Sequence, residues 1–133
     1  MKSLLVRDYM QTRTVSISCG TAVDEVVKTL LKYELRGVPV VDEGKKVIGF
    51  VSEQDCIRQL LSSSYHREGI IAVDEVMHHG AVCVSPNDSI LDLAGKMSTG
   101  SNPKRYPVVE NGKLVGIITR REVLQGLVDH SRK

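Results

Sequence analysis

The sequence predicts a mixed α/β (α+β) fold: two β-α-β-β-α repeats packed as a pseudo-twofold pair. The first sign is that the chain is written twice. VRDYM at 6–10 recurs as VDEVM at 73–77, TVSIS at 14–18 as AVCVS at 81–85, and VPVVDEGKKVIGFVSEQD at 38–55 as YPVVENGKLVGIITRRE at 106–122. The offset is 67 residues at both ends and 68 in the middle. A repeat this long carries a supersecondary unit rather than one turn of a solenoid. The second sign is the order of apolar periods, which switches between strand and helix in the same sequence in both copies. The third is length: 133 residues suit one body with one core.

The elements follow in order. Val15 and Ile17 alternate with polar neighbours, the period of a half-buried strand. Thr21 then opens a helix, with Thr21 and Asp24 spaced as a capping box. Val23, Val26, Val27, Leu30 and Leu31 form its apolar stripe. VPVV at 38–41 and VIGFV at 47–51 are short β-rich runs joined by DEGKK, a hairpin. A second helix carries Ile57, Leu60 and Leu61 on one side. In the second copy the hairpin turns at Asn111-Gly112, a strong tight-turn dipeptide, and the last helix carries Leu124, Leu127 and Val128. A helix between the first two strands of each copy favours their parallel pairing. The repeats span 6–61 and 73–128, with a polar linker at 62–72 and a tail at 129–133 that frays from the last helix.

Composition excludes several classes. Hydrophobic content of 41% and charged content of 26% are ordinary for a soluble protein. With no Trp, one Phe and a net charge of +2, neither base stacking nor polyanion binding is favoured. The apolar runs are too short to span a membrane, and MKSLLVRDYM lacks the apolar stretch of a signal peptide. Cys19, Cys56 and Cys83 show no CxxC spacing, which reads as reduced thiols in the cytoplasm, with Cys83 buried or half-buried on a strand. His78 and His79 are adjacent, point apart if extended, and have no third ligand at useful spacing; they read as surface histidines and no metal site is expected. His66 and His130 fall in linker and tail, and Met10 and Met77 match each other as core contacts. No phosphate-binding P-loop pattern occurs.

The chemical signal lies at two strand-to-helix turns. Ser52 with Asp55, and Thr119 with Glu122, have capping-box spacing. The same geometry also suits a polyol or phosphate ligand. A helix N-terminus offers free N–H groups to an anion, and a fixed carboxylate accepts two hydrogen bonds from adjacent ribose hydroxyls. Spacing alone leaves both readings open.

Taken together, DYM and EVM, VPVVD and YPVVE, then GFVSEQD and GIITRRE, in order and duplicated, resemble the tandem cystathionine-β-synthase (CBS) domain family. The resemblance covers nearly the whole chain. It implies a Bateman module with two clefts between the repeats, commonly occupied by AMP, ADP, ATP or another adenosyl compound, and a homodimer joined through helices. The family's S/T-x-x-D acid holds the ribose, which carries over to Ser52 and Asp55. Opposite them the resemblance sets Ala81, Val82, Lys104, Arg105 and Tyr106, with the basic pair near the phosphates and Tyr106 in core or cleft wall. The second cleft would use Thr14, Val15, Arg36, Gly37, Val38, Thr119, Arg120 and Glu122. There the sequence departs from the family, because Glu122 stands where Asp is expected. One extra methylene moves the carboxylate outward by about a bond length, so this cleft is the weaker.

The function expected is a cytoplasmic regulatory sensor that binds an adenosyl ligand, modulates an unidentified partner protein, catalyses nothing and requires no cofactor. Its rivals are an interaction protein with decayed ligand sites and a small nucleotide-processing enzyme. The latter would need a general base, nucleophile or metal beside the ligand, and spacing supplies no second acid or histidine there.

Overall fold

The computed structural model describes residues 4–66, 70–99 and 105–131. Its chain divides into two compact units, and their boundaries do not follow the sequence repeats. One unit is Val15–Ala81; the other joins the chain up to Thr14 with the chain from Val82 onward. Each repeat therefore gives its opening segment to the unit built on the other repeat.

In the first unit, β1 (Ile17–Ser18) runs parallel to β2 (Gly37–Val41), pairing Ile17 with Val40. The crossover between them is α1 (Val23–Tyr33), which buries Val23, Val26 and Leu30. Leu31 is 73% exposed, so the stripe is narrower than its spacing predicts. Nor does Thr21 cap this helix. Ala22 is the N-cap residue, and the Thr21 hydroxyl donates back to Ser18 O. Glu34 closes the helix in the left-handed region at φ 54°, its N–H reaching Leu30 O and Leu31 O.

Strand β2 is buried along its whole length and pairs antiparallel with β3 (Val47–Ser52). The predicted hairpin forms between them. The Asp42 carboxylate accepts from Gly44 N and Lys46 N, both at 2.9 Å. Helix α2 (Glu53–His66) continues into the stretch expected as linker. The fourth strand, β4 (His78–His79), pairs antiparallel with β3. It follows a 3-10 turn at Val73–Glu75, and Val73 and Met77 lie in the core with Val26, Val38 and Val51.

The second unit repeats this plan with less regular edges. Residues 81–85, expected as a strand, form only a parallel bridge from Val84 to Val108. Cys83 is exposed rather than buried. Helix α3 (Ile90–Met97) is capped by Ser89, whose hydroxyl accepts from Leu91 N and Asp92 N. The residue at that position in the first repeat is Ala22, which explains why only one of the two helices has a side-chain cap. Strands β5 (Arg105–Glu110) and β6 (Lys113–Thr119) form a hairpin, and α4 (Arg120–Ser131) follows. Its turn has positive φ at Asn111 (54°) and Gly112 (81°), as the dipeptide predicts. Gln11 bridges to Ile117 on β6, in the position β4 occupies on β3. Val6 is buried among Val84, Ile90 and Ile118, and Met10 packs against them.

Two glycines permit these approaches. A Cβ on Gly49 would lie 2.6 Å from Met77 Sδ and 2.7 Å from His78 O. On Gly116 it would lie 2.8 Å from both Met10 Sδ and Gln11 O. The obstructing oxygens are backbone atoms of the exchanged segments and cannot turn aside. Gly49→Ala and Gly116→Ala should each lower stability by roughly 1–3 kcal/mol. Gly95→Ala, mid-helix with open space around it, should raise stability by about 0.5–1 kcal/mol. Urea unfolding of the three variants measures both signs; equal effects at Gly49 and Gly95 would contradict the packing argument.

Candidate functional site

Strand β3 ends at Ser52 and α2 begins at Glu53, so Ser52 is the N-cap residue and Asp55 lies at the third helical position. The capping box forms. Ser52 N and Oγ donate to Asp55 Oδ2 at 2.9 and 2.8 Å, and Asp55 N donates back to Ser52 Oγ at 3.2 Å. The Asp55 side chain is 4% exposed. Its other oxygen, Oδ1, is 2.9 Å from His78 Nε2 on β4 and 3.6 Å from Arg58 Nη1 one turn along α2. An ionised carboxylate only accepts, so Nε2 is the ring nitrogen that carries the proton in this contact. The neighbouring Cys56 thiol is buried, and desolvation, then the Asp55 charge, pushes its pKa up. That favours the thiol form and makes Cys56 a poor nucleophile.

The second unit builds the matching turn at β6 and α4. Thr119 N and Oγ1 donate to Glu122 Oε1 at 2.6 and 2.7 Å, and Arg121 N donates to Thr119 Oγ1 at 3.3 Å. Glu122 Oε2 accepts from Gln11 Nε2 at 2.8 Å. In each unit, one carboxylate oxygen is held by its own turn and the other by the residue after the methionine of the exchanged segment. His78 and Gln11 are 67 positions apart, the offset of the repeat. Spacing within one copy gave no sign of either contact. Aligning the two copies pairs these residues but does not say which unit they enter.

The other sequence-predicted residues are distributed as follows. Arg105 pairs with Thr119 across the β5–β6 ladder, in the same unit as Glu122. Among the described residues its buried Nε finds no acceptor. Burial lowers the guanidinium pKa, while the Glu122 charge acts the other way. Tyr106 and Val38 are core residues, and Gly37 backs onto the Phe50 ring. Thr14, Val15 and Ala81 are half-buried; Val82, Arg36 and Arg120 are exposed, and Arg36 O accepts from Glu53 N. Lys104 lies outside the described residues. Among the described residues, no group of three His, Cys, Asp or Glu side chains could hold a metal, and no helix is long and apolar enough to cross a membrane.

Two of the cavities among the described residues have linings that do not include Asp55. One, of about 430 Å³, is lined by Val27, Leu30, Leu31, Cys56, Ile57 and Leu60 of α1 and α2. The other, of about 510 Å³, lies in the second unit beside Tyr9, Arg121, Glu122 and Leu124. Near it the Tyr9 hydroxyl donates to Asp129 Oδ2 at 2.9 Å, and this bond raises the Tyr9 pKa.

A sequence profile of the CBS domain matches residues 6–62 and 73–129. An uncharacterised protein of Methanocaldococcus jannaschii is 28% identical over 120 residues, which cover 90% of this chain and 41% of that protein. Inosine-5'-monophosphate dehydrogenase of Aquifex aeolicus is 30% identical over 112 residues, 84% of this chain and 22% of the enzyme. The chain thus spans less than half the length of either relative. Among solved structures, the CBS-pair protein CBSX2 of Arabidopsis thaliana superposes with a TM-score of 0.81 at 26% identity, covering 99% of each chain. CBSX2 in complex with AMP superposes with a TM-score of 0.80 at 26% identity, covering 98% of this chain and 100% of that one.

Removing the cap hydroxyl tests the turn by itself. Ser52→Ala leaves Asp55 N without its acceptor and should cost about 1 kcal/mol, read from the urea midpoint at unchanged slope. No change would mean that the cap hydroxyl adds nothing to stability.

Proposed function

The chain belongs to the CBS domain family, and from that membership we propose that it is a regulatory module binding an adenine nucleotide or another adenosyl ligand. It acts in the cytoplasm on a partner protein and catalyses no reaction. The observation that carries this reading is the Asp55 carboxylate. It is buried, pinned to Ser52 and held at a helix N-terminus, as an acceptor for ribose hydroxyls must be. The likeness to CBSX2, solved with AMP, supports an adenosyl ligand. The half-buried Arg105 guanidinium, whose Nε has no acceptor among the described residues, supports a phosphate contact from that residue. Ala81, Val82, Lys104, Arg105 and Tyr106 remain assigned to the Asp55 site.

The two acids are unequal in this proposal. Glu122 differs from the family's Asp and is engaged by Thr119 and Gln11. It anchors the weaker site, with Thr14, Val15, Arg36, Gly37, Val38, Thr119 and Arg120. Binding regulates by population shift: a ligand favours whichever conformation it binds more tightly.

A thermal-shift panel of AMP, ADP, ATP and S-adenosylmethionine tests the reading. A ligand at one hundred times its dissociation constant should add about 2.7 kcal/mol of stability. Loss of a charge-assisted bond worth roughly 1.5–3 kcal/mol makes Asp55→Ala bind roughly tenfold to a hundredfold more weakly by calorimetry. Asp55→Asn serves as a variant closer to native shape, and Glu122→Ala should change little. A flat response to every ligand would favour the interaction-only rival, and ATP turnover by the pure protein would favour the enzyme.

Self-association is the second part of the proposal. Leu31, Ile57 and Leu60 line the cavity of α1 and α2 and are exposed, as are Leu61, Leu124 and Val128. Light scattering at micromolar concentration should give a mass near twice 14.7 kDa. Ile57→Glu should shift it towards the monomer. A monomer at that concentration would rule out the dimer.

A further inference from the structure

We infer that His78 occupies the Asp55 acceptor before any ligand does, so that a bound ribose must displace it and His78 sets the affinity of the site. The inference rests on Asp55 being the ribose acceptor. Asp55 Oδ2 already accepts two hydrogen bonds, from Ser52 N and Oγ, which are local to the turn and fixed by the backbone. A carboxylate oxygen offers about two acceptor positions, so two adjacent ribose hydroxyls need both of those on Oδ1. There His78 Nε2 sits at 2.9 Å, and Arg58 Nη1 lies farther off at 3.6 Å.

The two groups differ in what it takes to move them. Asp55 is 4% exposed, whereas the His78 side chain is 69% exposed. The ring can swing into water with little loss of packing. Its backbone stays in place, because β4 pairs with β3 and lies against Gly49. The contact thus suits a displaceable occupant better than a structural post. Gln11 on Glu122 repeats the arrangement in the other unit, which makes a chance side-chain contact a poor explanation.

The groups facing His78 are the Asp55 carboxylate and the Arg58 guanidinium from α2, with Ser52 behind Asp55 and His79 next along β4. Arg58 remains a counter-charge for Asp55 when the ring departs. Removing the ring therefore does not leave a buried charge alone.

Calorimetry with AMP tests this on the full chain. His78→Ala should bind AMP roughly two- to tenfold more tightly, the range of a partly exposed charge-assisted contact. His78→Gln, which keeps a neutral donor as Gln11 does, should stay close to wild type. In the Asp55→Asn background His78→Ala should lose its effect. Weaker binding by His78→Ala would overturn the inference, since His78 would then contact the ligand; unchanged binding would overturn it too. If Asp55→Asn binds AMP as wild type does, or if neither wild type nor His78→Ala binds it, the assignment of Asp55 to the ribose falls, and the inference with it.

Discussion

The close antiparallel approach of residues 77–79 to β3 is the constraint on which the first unit depends. It is possible only because Gly49 has no side chain, with Met77 Sδ and His78 O lying where a Cβ would project. From it follow the fourth strand, the burial of Val73 and Met77, and the arrival of His78 at Asp55. Gly116, Met10 and Gln11 do the same for the second unit. Neither unit has a complete core on its own repeat. Val6 fills one, Val73 the other, and both come from the opposite repeat. Stability of the two units is coupled through this exchange, since unfolding either repeat withdraws core residues from both units.

The same constraint governs the electrostatics of the turns. A carboxylate at the third position of a helix is stabilised by the free N–H groups and the helix dipole. In both units the capping hydroxyl and amide engage a single oxygen and leave the other for a long-range partner. Repetition of that division makes the turns comparable. Its details make them unequal: a histidine and an arginine attend Asp55, a glutamine attends Glu122, and Arg105 adds a positive charge near Glu122 that its counterpart Gly37 cannot supply.

The helices divide their apolar residues between two tasks. In α1, Val23, Val26 and Leu30 enter the core, while Leu31 turns to solvent beside Ile57 and Leu60 of α2. A wide apolar stripe on a short helix is read most simply as core. Here the inner edge suffices for the core, because β2 and the exchanged Val73 already fill it. The outer edge is left as an apolar surface.

Sequence by itself determined the features set by local rules or by repetition. These are the helices and hairpins of each copy, the left-handed Asn111-Gly112 turn, the spacing that brings Asp55 to Ser52 and Glu122 to Thr119, and the core place of Met77; the strand expected at 81–85 and the Thr21 cap did not form. Period, propensity and short-range hydrogen bonding are visible in a window of a few residues. Family membership was legible for the same reason: ordered, duplicated motifs need no structure to be counted. Tertiary structure alone decided which unit each opening segment joins. It also decided that His78 reaches Asp55 across 23 positions, that Gln11 reaches Glu122 across 111, and that Arg105 lies with Glu122. These depend on which strand edge a distant segment pairs with, and that is fixed by close approach at two glycines, whose reason is not contained in any local pattern.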